Sequence, residues 1–383
     1  MPALRDFYAT LRRRPVALAL VLAVVVRLGW LAVAEVGVGF QRPPPRELSG
    51  RSADGLGYLH TPVQTGDMWT RWDGRFYVDI AEQGYVGGGE RVDLRPAFFP
   101  LYPLLMRALA AATGMGAVAA GLVINNLADL LAWVLLALFV ERRLGRNEVA
   151  PVLVAFALFP TRNFGFSINT EGLYLLAAVS AFYLYERKQV AGAALVSALA
   201  SALRPQGAFI GAALLADALW RRFVKKEPDA PRLGEAAVLC LFPAGLLAYV
   251  AYLGGATGDP LRFMEVQQVW HRGFTTPVHT LLARSQDPHV YVVLLAAVFL
   301  VYALWAHKWP VRDLSFAGAS VLMPLLSGSL QSFVRFTGVI FPLFMLAAVI
   351  CERRPRLRWF YVAVAIVYSA VFAFKVGQFA AVT

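Results

Sequence analysis

Apolar runs of roughly 18 residues or more recur from one end of this chain to the other, and nothing in the sequence constrains its folding more. Inside a bilayer no water satisfies backbone N–H and C=O groups, so such runs must close their own hydrogen bonds as helices. Composition agrees: hydrophobic residues make up 58% of 383 and charged residues 16%, against about a quarter charged in soluble domains. The expected fold class is an all-α polytopic membrane protein, with residues 1–383 forming a single multi-spanning domain. The first run begins at Val16, behind Arg12, Arg13, Arg14 and Pro15. It outlasts a signal-peptide core and lacks a small-residue cleavage site, so it reads as a retained span. Cys240 and Cys351 lie in or beside apolar runs and make neither a disulfide framework nor a metal site.

Charge orients the spans. The formal net charge of +12 raises the question of nucleic acid. The basic residues fall instead in short clusters between apolar runs, which is the pattern of cytoplasmic loops, so no nucleic-acid partner is expected. The N-terminus and segments 141–146, 186–188, 220–232, 307–312 and 351–358 hold 20 of the 36 Lys and Arg, and all six are assigned to the cytoplasm. The spans between them run roughly over 15–36, 117–140, 149–166, 168–186, 189–203, 206–220, 234–255, 289–307, 313–328, 336–351 and 357–376, about eleven helices. Counting residues 97–112 as a further span would reverse every later cluster, so that run is expected to be a re-entrant or surface helix. The multi-pass protein is expected in the cell (plasma) membrane, with its N-terminus cytoplasmic.

On this frame the unusual polar residues gather on the outer side. The outer segments are a long extracytoplasmic first loop (about 37–116), a tip around 162–171, the turn Arg204-Pro-Gln-Gly207, the loop 257–288 and the turn 329–335. In residues 65–85, Trp69, Trp72, Phe76 and Ile80 recur at helical spacing, with Asp73, Asp79 and Glu82 on other faces. That pattern predicts an amphipathic helix in the membrane interface, its tryptophans at headgroup depth. Ala97-Phe-Phe-Pro-Leu-Tyr-Pro103 then dips back into the membrane, and its prolines leave backbone carbonyls that must be met by protein or a water-filled cavity. Asp73 sits between Trp72 and Gly74, where partial desolvation would raise its basicity and suit it to general base catalysis. It equally suits the cap of the helix that follows. Asp67 fits either part.

Several of these segments together resemble a known family. Arg71-Trp-Asp-Gly-Arg-Phe-Tyr77, Ile80-Ala-Glu-Gln-Gly-Tyr85 and Ala97-Phe-Phe-Pro-Leu-Tyr-Pro103 resemble the bacterial relatives of the PIG-V type mannosyltransferases. Those eukaryotic enzymes add the second mannose of the glycosylphosphatidylinositol anchor. The resemblance continues through Phe159-Pro160, Asn169-Thr-Glu-Gly-Leu-Tyr174, Leu203-Arg-Pro-Gln-Gly207, Gln267-Gln-Val-Trp-His-Arg272, Gly328-Ser-Leu-Gln-Ser-Phe-Val-Arg-Phe336 and Phe341-Pro342, in order along nearly the whole chain. It implies a GT-C-like fold (the C-type glycosyltransferase superfamily) and a sugar taken from a polyprenyl-phosphate lipid for an acceptor on the outer face. It also implies an acidic base in the first outer loop; the family's Trp-Asp motif falls on Trp72 and Asp73. Members often carry Ser-Glu at the tip, whereas Thr170 precedes Glu171 here.

The remaining outer residues have a functional and a structural reading each. Glu171 is either a second acid binding sugar hydroxyls or acceptor, or a helix-start acid favoured by the dipole. Arg204 and Arg335 suit a lipid phosphate, since a guanidinium fork binds phosphate oxygens bidentately, or else they snorkel to the headgroups. Gln267, Trp270, His271 and Arg272 are placed to touch sugar or phosphate, against ordinary surface polarity. Arg27 in the first span and Asp129 in the second, beside Asn125 and Asn126, are expected to pair structurally. The combined reading is a polyprenyl-phosphate-sugar-dependent glycosyltransferase with Asp73 as general base and mannose implied by the resemblance. Arginines would stabilise the leaving phosphate, so no metal or other cofactor is expected. Its partners would be membrane lipids, the lipid-linked donor and an acceptor that the sequence leaves open as glycan, lipid or protein. The alternative is a membrane transporter or lipid flippase. Transporters place charges near the midplane and often show internal repeats, whereas this chain concentrates its acids and tryptophans in one outer loop.

Overall fold

A Pro at the first turn costs a helix nothing, because its missing N–H has no intrahelical partner there. Pro15 and Pro355 each open a long apolar helix in this way. The structure is a computed structural model that describes residues 13–40, 69–70, 72–85, 93–283 and 288–378. Its helices are α1 (Pro15–Val38), α2 (Asp73–Gln83), α3 (Leu101–Thr113), α4 (Ala117–Leu144), α5 (Arg146–Ala157) and α6 (Glu171–Glu186). They continue as α7 (Val190–Ser201), α8 (Ala208–Leu219), α9 (Leu233–Leu239), α10 (Ala244–Thr257), α11 (Arg262–Val266) and α12 (Pro277–Leu282). The last are α13 (Pro288–Ala306), α14 (Val311–Leu325), α15 (Phe333–Thr337), α16 (Phe341–Glu352) and α17 (Pro355–Gly377). Among the described residues there is no strand.

Among the described residues five stretches are long and apolar enough to cross a membrane: α1, α4, α9 with α10, α17, and 289–306 of α13. Other apolar helices, among them α3, α7 and α16, are shorter. Several expected boundaries shift. The expected span 149–166 stops as a helix at Ala157, because Pro160 and a run of polar residues turn the chain into a 3₁₀ turn at Arg162–Gly165. The tip is packed inside the protein: Arg162, Asn163, Ser167, Asn169, Thr170 and Glu171 are all buried. The span 234–255 is interrupted at 240–243, ahead of Ala244, where Pro243 withholds a backbone donor. Helix α3 has 13 residues and so rises about 20 Å, short of a bilayer core of about 30 Å.

The chain forms two compact units, the first from Met1–Val78, Ala110–Leu173 and Phe344–Val382, the second from Asp79–Leu109 and Tyr174–Leu343. In the first unit, α1 and α17 meet near their C-terminal ends through glycines. A Cβ on Gly377 would stand 1.9 Å from the Ala34 carbonyl oxygen, and one on Gly37 would stand 2.3 Å from that of Phe374. Small residues let membrane helices approach backbone to backbone in this way. Trp30, Phe164, Phe166 and Phe372 fill the space beside this contact. Arg27 pairs with Asp129 at 2.6 Å, as the two intramembrane charges required.

In the second unit Arg312 bonds Glu186 at 2.6 Å and Asp217 at 3.1 Å, while Tyr185 donates to Asp217. Arg221 pairs with Asp229 at 3.0 Å, and Lys188 approaches the same carboxylate. These contacts join three segments that the charge rule assigned to one side: 186–188, 220–232 and 307–312.

Candidate functional site

The first unit holds Trp72, Asp73 and Glu171. The expected interfacial helix starts later than its periodicity suggested: α2 begins at Asp73, and Trp72 takes a left-handed backbone with φ +55°. A bulky residue there is strained and persists only when its surroundings hold it. They do: Trp72 packs on Phe164 at 5.8 Å between ring centroids, and Trp69 on Phe166 at 5.4 Å. Along this segment Gly74, Tyr77, Val78, Ile80 and Ala81 are buried, while Trp69, Trp72 and Phe76 are half-buried. Asp73 becomes the first residue of α2, at the positive end of its dipole.

Chain segments some 95 residues apart meet here. The Ile168 amide donates to the Trp69 carbonyl at 2.8 Å, and a Cβ on Gly74 would stand 3.1 Å from the Ile168 carbonyl oxygen. Glu171, 2% exposed, begins α6 three residues further on. The tip between them owes its irregular backbone to polar side chains on α4. Asn125 donates to the carbonyls of Phe164 (3.0 Å) and Ser167 (2.6 Å), and Asn126 donates to that of Phe166 (2.9 Å). Asp129 accepts from both Arg27 and Arg162, with Trp133 Nε1 as a third donor at 3.2 Å. Arg162 also lies over the Phe156 ring. Arg162 was not singled out in the sequence because its partner, Asp129, lies 33 residues away on another helix. The signal present was the polar trio Asn125, Asn126 and Asp129 inside an apolar run.

The second unit holds Arg204, Gln267, Trp270, His271, Arg272 and Arg335. Arg204 and Arg335 are each 7% exposed, so neither reaches out to headgroups. The Arg204 guanidinium lies 4.8 Å from the centroid of the Tyr174 ring, whose hydroxyl donates to the Gln206 carbonyl at 3.2 Å. The turn is tight, since a Cβ on Gly207 would stand 1.9 Å from the Ala200 carbonyl oxygen. Arg335 sits on the short helix α15, entered through Ser332 at φ +66°.

Arg272 ties two of the expected segments together. It donates to Gln267 Oε1 at 3.2 Å and to the Gln331 carbonyl at 3.0 Å, and its guanidinium faces the Phe336 ring. His271 is exposed and left-handed (φ +54°), its carbonyl against Gly328. Trp270 packs edge-on to Phe98 of the proline-rich dip, and the Leu101 amide donates to the Ala202 carbonyl beside the Arg204 turn. Two carbonyls beside the prolines of this dip are met by tyrosine hydroxyls: Tyr249 donates to Pro96 at 2.8 Å and Tyr85 to Phe98 at 2.7 Å. Arg107 of α3 donates to the carbonyls of Ile80 and Ala81 and so closes the C-terminal end of α2.

Asp67 and Arg71 lie outside the described residues. Among the described residues no three His, Cys, Asp or Glu side chains gather as a metal site requires.

These elements define a multi-pass membrane protein with a GT-C-like fold. The structural likeness behind that class is to ArnT from Cupriavidus metallidurans, crystallised bound to undecaprenyl phosphate. Its TM-score is 0.50 at 14% identity, over 90% of this chain and 63% of that one. An oligosaccharyltransferase from Archaeoglobus fulgidus, in complex with Zn and sulfate, aligns with TM-score 0.45 and 14% identity, over 80% of this chain and 48% of that one. The chain thus spans less than two thirds of either. No family model and no curated protein matches the sequence.

Proposed function

We propose that the chain is a membrane glycosyltransferase that moves a sugar from a polyprenyl-phosphate carrier to an acceptor on the extracytoplasmic face of the plasma membrane. The observation that carries this reading is the burial of Arg204, on the turn between α7 and α8, and of Arg335, on the short helix α15. A cation held at the end of a membrane helix marks a binding path for an anion, and a guanidinium fork fits phosphate better than any other side chain. A lipid-linked donor delivers its phosphate at the membrane surface without a soluble nucleotide-binding domain. The fold shared with a protein crystallised on undecaprenyl phosphate supports the same reading.

In this mechanism Asp73 takes the proton of an acceptor hydroxyl. The hydroxyl oxygen bonds to the anomeric carbon, the bond from that carbon to the phosphate oxygen breaks, and the phosphate leaves with the electron pair. Arg204 and Arg335 stabilise the charge that builds on it. Glu171 binds sugar hydroxyls or acceptor, and Gln267, Trp270, His271 and Arg272 line the donor. Mannose is the sugar suggested by the PIG-V-like motifs.

The test is transfer of label from polyprenyl-phospho-mannose to the host's lipid extract by purified protein, with Asp73→Asn in parallel. Asn caps a helix about as well as Asp but accepts no proton near neutral pH, so turnover should fall roughly 10²–10⁴-fold. Absence of transfer from every lipid-phosphate sugar would overturn the assignment in favour of a transporter. Near-normal turnover of Asp73→Asn would remove Asp73 as base and leave Asp67 or Glu171.

A further inference from the structure

We propose that Asn125, Asn126 and Asp129 on α4 are positioning residues that fix where the carboxylates Asp73 and Glu171 stand. This rests on the catalytic reading of those two acids. The three residues, at i, i+1 and i+4, fall on one side of α4. All their described bonds outside α4 itself go to Arg27 of α1 or to the tip 162–167. Bonds to the Phe164, Phe166 and Ser167 carbonyls and to the Arg162 side chain leave the tip little freedom along its length.

Both acids are referenced to that tip. On one side, Ile168 bonds the Trp69 carbonyl and abuts Gly74, which docks the first turn of α2 and with it Asp73. On the other, the first turn of α6 rests directly on Asn125: a Cβ on Gly172 would stand 2.7 Å from the Asn125 carbonyl oxygen and 3.0 Å from that of Gly165. Asn125, itself fully buried, therefore touches the turn that carries Glu171 and bonds the tip that receives Asp73. A purely structural account is that irregular backbone at membrane depth must be satisfied by some donor. It predicts less folded protein when a donor is lost but unchanged turnover per folded molecule. Positioning predicts a fall in turnover itself, because a shift of about 1 Å at reacting groups can cost roughly 100-fold.

The experiment uses the full chain with Cys240→Ser and Cys351→Ser, carrying Gly74→Cys and Ile168→Cys. A Cβ on Gly74 would lie 3.4 Å from that of Ile168, beside the disulfide range of about 3.5–4.5 Å, so the pair should oxidise readily. Adding Asn125→Ala, or the milder Asn126→Ala, should slow the cross-link about tenfold or more in protein that remains folded and monodisperse. Without the cysteine pair, the same variants should lose about 10- to 100-fold in kcat, with the donor KM within about twofold. Unchanged cross-linking, or slowed cross-linking with unchanged kcat, overturns the proposal; if Asn125→Ala does not fold, Asn126→Ala decides. If even the unmutated chain transfers no lipid-linked sugar, the glycosyltransferase reading fails, and the cross-linking rates alone decide whether α4 places the two segments.

Discussion

Asp129→Asn tests how much of the first unit's stability rests on one carboxylate. In the structure Asp129 is 1% exposed and faces two guanidiniums, Arg27 at 17% and Arg162 at 3% side-chain exposure. The amide keeps the volume, so no cavity forms, and its oxygen still accepts one bond. What disappears is the negative charge, which leaves one buried and one half-buried cation without this counter-ion. Removing one partner of a buried pair costs about 3–5 kcal/mol, and the retained shape and single bond place this substitution near 3 kcal/mol. At about 1.4 kcal/mol per decade, the unfolded population should rise about 100-fold. The assay is unfolding of the detergent-solubilised protein in graded SDS, followed by tryptophan fluorescence. A triple variant, Arg27→Met with Asp129→Leu and Arg162→Met, removes all three charges. Since well-packed apolar residues often replace buried ion clusters without loss, it should recover to within about 1 kcal/mol of wild type. A cost below about 1 kcal/mol for Asp129→Asn, or a triple variant no more stable than the single one, would refute this electrostatic account.

Four further outcomes are expected. Arg204→Lys keeps the charge but loses the planar fork and its stacking on Tyr174, so donor binding should weaken about 10-fold. Activity should also survive EDTA; unaltered donor affinity would exclude Arg204 from the site, and loss on chelation reversed by Mg²⁺ would exclude the metal-free mechanism. Tyr249→Phe strips the donor from the buried Pro96 carbonyl and should cost about 1–3 kcal/mol in the same SDS titration, whereas a neutral result would mean another donor reaches that oxygen. With the native cysteines replaced, a cysteine at exposed His279 should react with an impermeant thiol reagent in intact cells. One at exposed Lys188 should react only after lysis, and the reverse pattern would invert the topology.

The sequence by itself determined that this chain is a bundle of membrane helices, because a hydrocarbon core permits little else for repeated apolar runs. It also determined that Arg27 and Asp129 would pair, since neither charge survives alone at that depth. Motif order pointed to the GT-C-like fold. Periodicity misplaced the start of α2, because helical spacing continues through Trp72 in sequence while the backbone there turns left-handed. What packs on that residue lies some 90 positions away, in Phe164, and no local pattern reports such a partner. The burial of the tip was not legible in the sequence either. The amides of Asn125 and Asn126 and the carboxylate of Asp129 meet its irregular backbone and Arg162 inside the protein. Backbone carbonyls beside the prolines of residues 97–103 required some donor. That the donors are Tyr85 and Tyr249 was decided by packing between distant helices, where side-chain reach and tertiary contact choose among many chemically equivalent hydroxyls.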